Sequence, residues 1–130
     1  MLDSDGGSII NVSSIMGVVG MRDPKTGWIA YSTAKAGVSG LTRALAADYA
    51  ADGIRVNCII VGRVDTPIAV ATLGEEAREK RRLSIPLQTR GTGWDVGWAA
   101  VYLASDESRW VTGIDLPIDG GLLRIFEQLR

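Results

Sequence analysis

Tyr31-Ser32-Thr33-Ala34-Lys35 sets a phenol and an ammonium four positions apart. On a helix that spacing puts both groups on one face. A lysine beside a tyrosine favours the phenolate and draws the proton from its ordinary range of about 10 toward neutrality. Such a pair can exchange a proton with a reacting oxygen. The same spacing also fits a tyrosine packed on a core while the lysine stem reaches water. Upstream, Ser13-Ser14 lies where a short apolar run ends. A hydroxyl at the C-terminal end of a strand can hydrogen-bond a substrate oxygen, although turn chemistry is the commoner use of such serines. The chain has no histidine and no Gly-x-Ser-x-Gly elbow, which excludes serine nucleophiles activated by histidine.

The elements that must position these residues read as an α/β alternation. Ser8-Ile9-Ile10-Asn11-Val12 is a buried strand, and Ser13 to Trp28 a Gly-containing loop with a turn over 23–27. Tyr31, Ala34, Val38, Leu41, Leu45 and Tyr49 recur in steps of three and four, which predicts an amphipathic helix over 29–51. Gly37 and Gly40 lower its propensity and imply a close neighbour at that backbone. Gly53 ends it, and residues 54–61 form the second strand of a βαβ unit. Thr72-x-x-Glu75 has capping-box spacing, and acids precede bases from Glu75 to Arg82, before Pro86 stops the segment. A helix over 93–104 and a strand over 113–118 complete the order, which predicts a parallel sheet.

The composition is that of one soluble domain: 130 residues, 46% hydrophobic and 22% charged, with a net charge of −1. That balance shows neither the basic stripe of a nucleic-acid binder nor a polybasic membrane anchor. No run reaches membrane-spanning length, and Asp3 and Asp5 stand where a signal peptide carries positive charge. With Cys58 as the one cysteine there is no intrachain disulfide, and a cytoplasmic location is the default expectation. The absence of a Cys/His cluster argues against a catalytic metal.

Taken together, Gly7-Ser8-Ile9-Ile10-Asn11-Val12-Ser13-Ser14 and Tyr31-x-x-x-Lys35-Ala36-Gly37 resemble the catalytic segment of the short-chain dehydrogenase/reductase family. The resemblance continues through Gly53-Ile54-Arg55-Val56-Asn57, Gly62-x-x-x-Thr66-Pro67, Leu103-Ala104-Ser105-Asp106, and Thr112-Gly113 to Asp119-Gly120-Gly121. It covers almost the whole chain in the family's order. It implies the C-terminal half of a Rossmann-like doubly wound parallel sheet, about three strands with flanking helices. It further implies an NAD(P)-dependent oxidoreductase that interconverts an alcohol and a carbonyl. Tyr31 would be the general acid/base, Lys35 would hold the nicotinamide ribose and assist Tyr31, and Ser14 would orient the substrate carbonyl. Gly62, Val64 and Thr66 would line the nicotinamide and its carboxamide, and Ser13 matches no catalytic position. In the family, helices matching 29–51 and 93–104 form homo-oligomer interfaces.

Three departures qualify the resemblance. Val61-Gly62 replaces the family's Pro-Gly, and the spacing from Ser14 to Tyr31 is longer than usual. The family's Thr-Gly-x-x-x-Gly-x-Gly turn and its Asn-Asn-Ala-Gly segment do not occur in these residues. Gly91-Thr92-Gly93 imitates a glycine fingerprint without a preceding strand, and reads as a loop entering a helix. Residues 1–130 are therefore expected to be one partial domain, comprising the catalytic segment, a substrate lid and the last strand. The dinucleotide-binding half is expected to be missing from these residues, which would leave the first strand with an open edge. NAD and NADP cannot be told apart from this half. The competing expectation is a non-catalytic interaction fragment associating through surface carrying Trp94, Trp98 and Trp110.

Overall fold

The computed structural model describes residues 1–3, 6–21 and 27–124. Three parallel strands form the sheet in the order β1-β2-β5: β1 (Gly7–Ser14), β2 (Ile54–Val61) and β5 (Asp115–Ile118). Helix α1 (Ile29–Tyr49) links β1 to β2, and α4 (Gly93–Ala104) packs on the opposite face. Between them lie β3 (Val64–Asp65), α2 (Pro67–Thr72), α3 (Glu75–Leu83) and β4 (Gly91–Thr92). The β3–β4 pair makes a small second sheet that the sequence pattern does not reveal.

Strand alternation builds both halves of the core. On β2, Ile54, Val56, Cys58 and Ile60 pack on the α1 side, while Ile59 and Val61 meet Ala99 and Leu103 of α4. This double-sided burial is what the consecutive apolar residues Cys58 to Val61 encode. Asn57, fully buried, donates from Nδ2 to the Val111 carbonyl at 2.9 Å and accepts from Ile114 N at 3.3 Å. Thr112 Oγ1 accepts from Val56 N at 3.0 Å. These bonds splice β5 onto β2, so the Asn57 and Thr112-Gly113 motifs serve the sheet.

Several boundaries and faces differ from the sequence reading. β1 runs on to include Ser13 and Ser14, and a short 3-10 turn (Ile15–Gly17) follows where a loop was predicted. The predicted turn over 23–27 falls almost wholly outside the described residues. α1 ends at Tyr49, followed by a 3-10 turn to Asp52 and the left-handed Gly53. Its buried stripe is Ser39, Thr42 and Ala46, while Leu41 is 52% exposed. Val38, Leu45 and Tyr49 of the expected apolar face flank this stripe and pack on the core, whereas Leu41 is turned outward. Nothing lies within 4 Å of a Cβ built at Gly37 or Gly40, against the close neighbour expected there. Thr72 does not cap α3. It closes α2 by donating to the Ile68 carbonyl at 2.8 Å, and Gly74 is the N-cap of α3. The last strand begins at Asp115 because Gly113 is left-handed, at φ 73°. The capping box that does form is Thr92 with Asp95 at the start of α4.

Candidate active site

Ser13 and Ser14 finish β1, and Ser14 is in register with Val61 of β2. The residues singled out after each strand, Ser14 on one side and Gly62 on the other, thus emerge at the same end of adjacent parallel strands. In an open α/β sheet this C-terminal end is where ligands bind.

α1 contributes Tyr31 in its first turn and Lys35 one turn later. Tyr31 is 42% exposed, and Trp28 meets its ring edge-on with centroids 5.7 Å apart. The Lys35 ammonium lies over the Tyr31 ring, 5.8 Å from its centroid. The same ammonium donates to the Val12 carbonyl at 3.0 Å, while the Lys35 carbonyl accepts from Ser13 Oγ at 2.7 Å. Ser13, 2% exposed, has therefore spent its proton on the helix. Ser14 Oγ accepts from Met16 N at 3.2 Å, which uses a lone pair and leaves the hydroxyl proton to donate elsewhere. Of the two adjacent serines, only the second keeps a donor for a ligand oxygen.

The second group follows β2. Gly62 N donates to the Ile118 carbonyl at 3.0 Å and extends the ladder to β5. A Cβ at this position would stand 2.5 Å from the Asp119 Cα, so the backbones approach too closely for any other residue. Position here is held by the ladder, without the proline that the family carries. Val64 pairs with Gly91, and Thr66 caps α2 by accepting from Ala69 N at 3.2 Å. A cleft of about 520 Å³ opens beside this group, lined by Arg63, Val64, Arg90 and Asp119 among others. It does not include Ser14, Tyr31 or Lys35.

An ionic clasp over the second group was not legible in the sequence. Arg78 of α3 donates to Asp65 at 2.6 Å and to Glu75 at 2.9 Å. Arg90, just before β4, pairs with Glu75 and, at 3.2 Å, with Glu79. Arg82 completes the set with Glu79 at 2.7 Å. The run of acids before bases in 75–82 signals the helical pairs, whereas Asp65 and Arg90 are distant in sequence and carry no local mark. Hydrogen bonds from Arg82, and next from Arg90, hold the Glu79 carboxyl down at about 2. Arg78 lowers Asp65 in the same way, and Arg90 lowers Glu75. Among the described residues no helix is long and apolar enough to cross a membrane.

Known proteins share the fold and sequence pattern of this chain. A family model described as Enoyl-(Acyl carrier protein) reductase matches residues 1–123. The uncharacterized oxidoreductase YxbG of Bacillus subtilis (strain 168) is 40% identical over 126 residues, covering 92% of this chain and 45% of that protein. The structure of a short-chain type dehydrogenase/reductase from Mycobacterium ulcerans superposes with a TM-score of 0.84 at 32% identity. That match spans 95% of this chain and 44% of the other. A protein from Agrobacterium tumefaciens with bound NADP gives a TM-score of 0.80 at 37% identity, over 92% of this chain and 48% of its own. The chain spans about half the length of the curated relatives it matches.

The clasp has a definite pH signature. Glu79 is depressed in the folded state from its ordinary 4.5 to about 2. Its contribution is therefore complete above 4.5 and is lost as pH falls from there toward 2. The urea midpoint, followed by circular dichroism, should fall over that range more steeply in the parent chain than in Glu79→Gln. Identical slopes would refute the clasp.

Proposed function

The chain belongs to the short-chain dehydrogenase/reductase family, and on that premise we propose that it carries the proton-transfer side of an NAD(P)-dependent oxidoreductase interconverting an alcohol and a carbonyl. The observation that carries this reading is the Lys35 ammonium over the exposed Tyr31 ring, anchored to the strand that ends in Ser14. Tyr31 gives its phenolic proton to the substrate oxygen in reduction and takes it back in oxidation. Lys35 sets a positive charge beside the phenolate that this exchange creates. Ser14 donates its free hydroxyl proton to the same substrate oxygen and fixes its orientation.

The residues fit the nicotinamide end of the cofactor. Lys35 has spent one of its three protons on Val12 and retains donors for ribose hydroxyls. Gly62 and Val64 offer an apolar surface. Thr66, whose oxygen already accepts from Ala69 N, keeps its proton for a carboxamide oxygen. A bound nicotinamide supplies the hydride donor or acceptor. Gly91 and Thr92, read from the sequence as a loop, form β4 and lead straight into α4 at Gly93, but the Asp95 carboxylate of the capping box occupies that helix start and leaves a pyrophosphate no seat there. The substrate is a small alcohol or carbonyl compound, covered by α2 and α3 as a lid, with Ile68 and Val70 exposed on α2.

The test is a chimera that places the first half of a family enzyme ahead of this chain. Supplied with NAD or NADP and a panel of secondary alcohols, a folded chimera should form reduced nicotinamide. Tyr31→Phe should slow it about 10²- to 10⁴-fold. Equal rates with and without the phenol, or a folded chimera inactive across the panel, would sink the assignment.

The partner reading is a second copy of the chain, meeting it through helices 29–51 and 93–104. Trp94, Trp98, Val101 and Tyr102 form an exposed stripe on α4, with Trp98 66% exposed, and α1 is open at Gly37, Gly40 and Leu41. An apolar helix face of this kind is a common association surface. Sedimentation should show an oligomer that Trp98→Glu reduces to monomer. An unchanged mass for that variant would remove α4 from the interface.

A further inference from the structure

Lys35 is gripped at its backbone as well as at its ammonium. Ser13 Oγ donates to the Lys35 carbonyl at 2.7 Å. Gly17 rests against the same peptide: a Cβ built on Gly17 would lie 2.7 Å from the Lys35 carbonyl carbon and 2.8 Å from Ala36 N. Real Cβ atoms do not come so close to backbone, so only glycine allows this approach. Gly17 closes the 3-10 turn that Ser14 caps, and Ser13 is the residue before Ser14. The two contacts therefore fix one helical peptide relative to both ends of the segment that carries Ser14.

We infer that Ser13 and Gly17 are positioning residues, which clamp the Lys35 peptide and thereby set Tyr31 and Lys35 in register with Ser14. The inference rests on the proton-transfer reading of Tyr31, Lys35 and Ser14. Neither residue touches the reacting atoms in it. Ser13 acts through its hydroxyl, which is buried and fully engaged, and Gly17 through the volume it lacks. Removing the hydroxyl frees the helix from the strand end. Adding a methyl at Gly17 pushes the Ser14 turn off the helix. Proton transfer between positioned groups falls steeply with such misplacement.

The decisive readout needs neither substrate nor cofactor. Because the Lys35 ammonium sits over the Tyr31 ring, the Lys35 ε-methylene protons should carry a ring-current displacement in the NMR spectrum of the 130-residue chain. Tyr31→Leu identifies this displacement by abolishing it. Ser13→Ala and Gly17→Ala should each remove at least half of it, and Ser13→Thr, which keeps the hydroxyl, should restore it. If Gly17→Ala does not fold, the Ser13→Ala and Ser13→Thr pair decides alone. A folded Ser13→Ala chain with the full displacement overturns the inference, and so does a parent chain with none. In the active chimera, Ser13→Ala should lower kcat roughly tenfold or more while KM stays nearly constant. A chimera without turnover would sink the functional reading and leave the clamp to be judged on the spectrum.

Discussion

Two hydrogen bonds crossing between β1 and α1 at Lys35 decide where every proposed catalytic group stands. The ammonium is bonded to the Val12 carbonyl, and the carbonyl to the Ser13 hydroxyl. One residue is thus tied at both its side chain and its backbone to consecutive positions of the strand end. Farther along, Asn11 Nδ2 donates to Thr42 Oγ1 at 3.0 Å, and Thr42 in turn donates to the Val38 carbonyl at 2.8 Å. Asn11 and Ser13 share the face of β1 that meets α1, as alternation requires. The helix is therefore keyed to its strand by polar bonds at small residues, where bulky apolar packing would fix the register less sharply.

The rest of the site depends on parallel pairing. Ser14 and Val61 are register partners, so the groups on α1 and those after β2 are related through the β1–β2 ladder. Asn57 and Thr112 hold β5 against β2, and the Gly62 backbone extends that ladder toward Asp119. Asp119 accepts from Gly121 N and Leu123 N, which turns the chain beneath this end of the sheet. Over the top, arginine–carboxylate pairs fasten α3 to β3 and to the approach of β4. Strand ends joined by ladders, with α3 held to β3 and the approach of β4 by ion pairs, are the scaffold for the proposed proton transfer.

Much of this was legible in the sequence because it is written in short-range pattern. The run 58–61 is apolar on both parities and packs on both faces of the sheet. Tyr31 and Lys35 are one helical turn apart wherever that helix forms. What the sequence hid depends on partners far away. The outward turn of Leu41 follows from a contact face centred on Ser39, Thr42 and Ala46 and flanked by Val38, Leu45 and Tyr49, a centre that hydropathy does not mark. The strand ran on through Ser13 and Ser14 because their β2 partners, Ile60 and Val61, extend the ladder that far. Ser13 was readable only as structural, and its bond to Lys35 shows what that structure is. Arg90 and Asp65 carry no local signature, and their place in the clasp appears only when α3 lies between them.

We propose that these residues hold the nicotinamide and proton side of a dinucleotide enzyme without a pyrophosphate seat of their own. Isothermal titration of the chain, shown folded by circular dichroism, with NADH, NADPH and reduced nicotinamide mononucleotide tests it most directly. The account predicts that all three bind weakly and alike, since only the shared nicotinamide ribose finds partners. Saturable micromolar binding of a dinucleotide, far tighter than of the mononucleotide, would contradict it by revealing a pyrophosphate seat assembled from these residues.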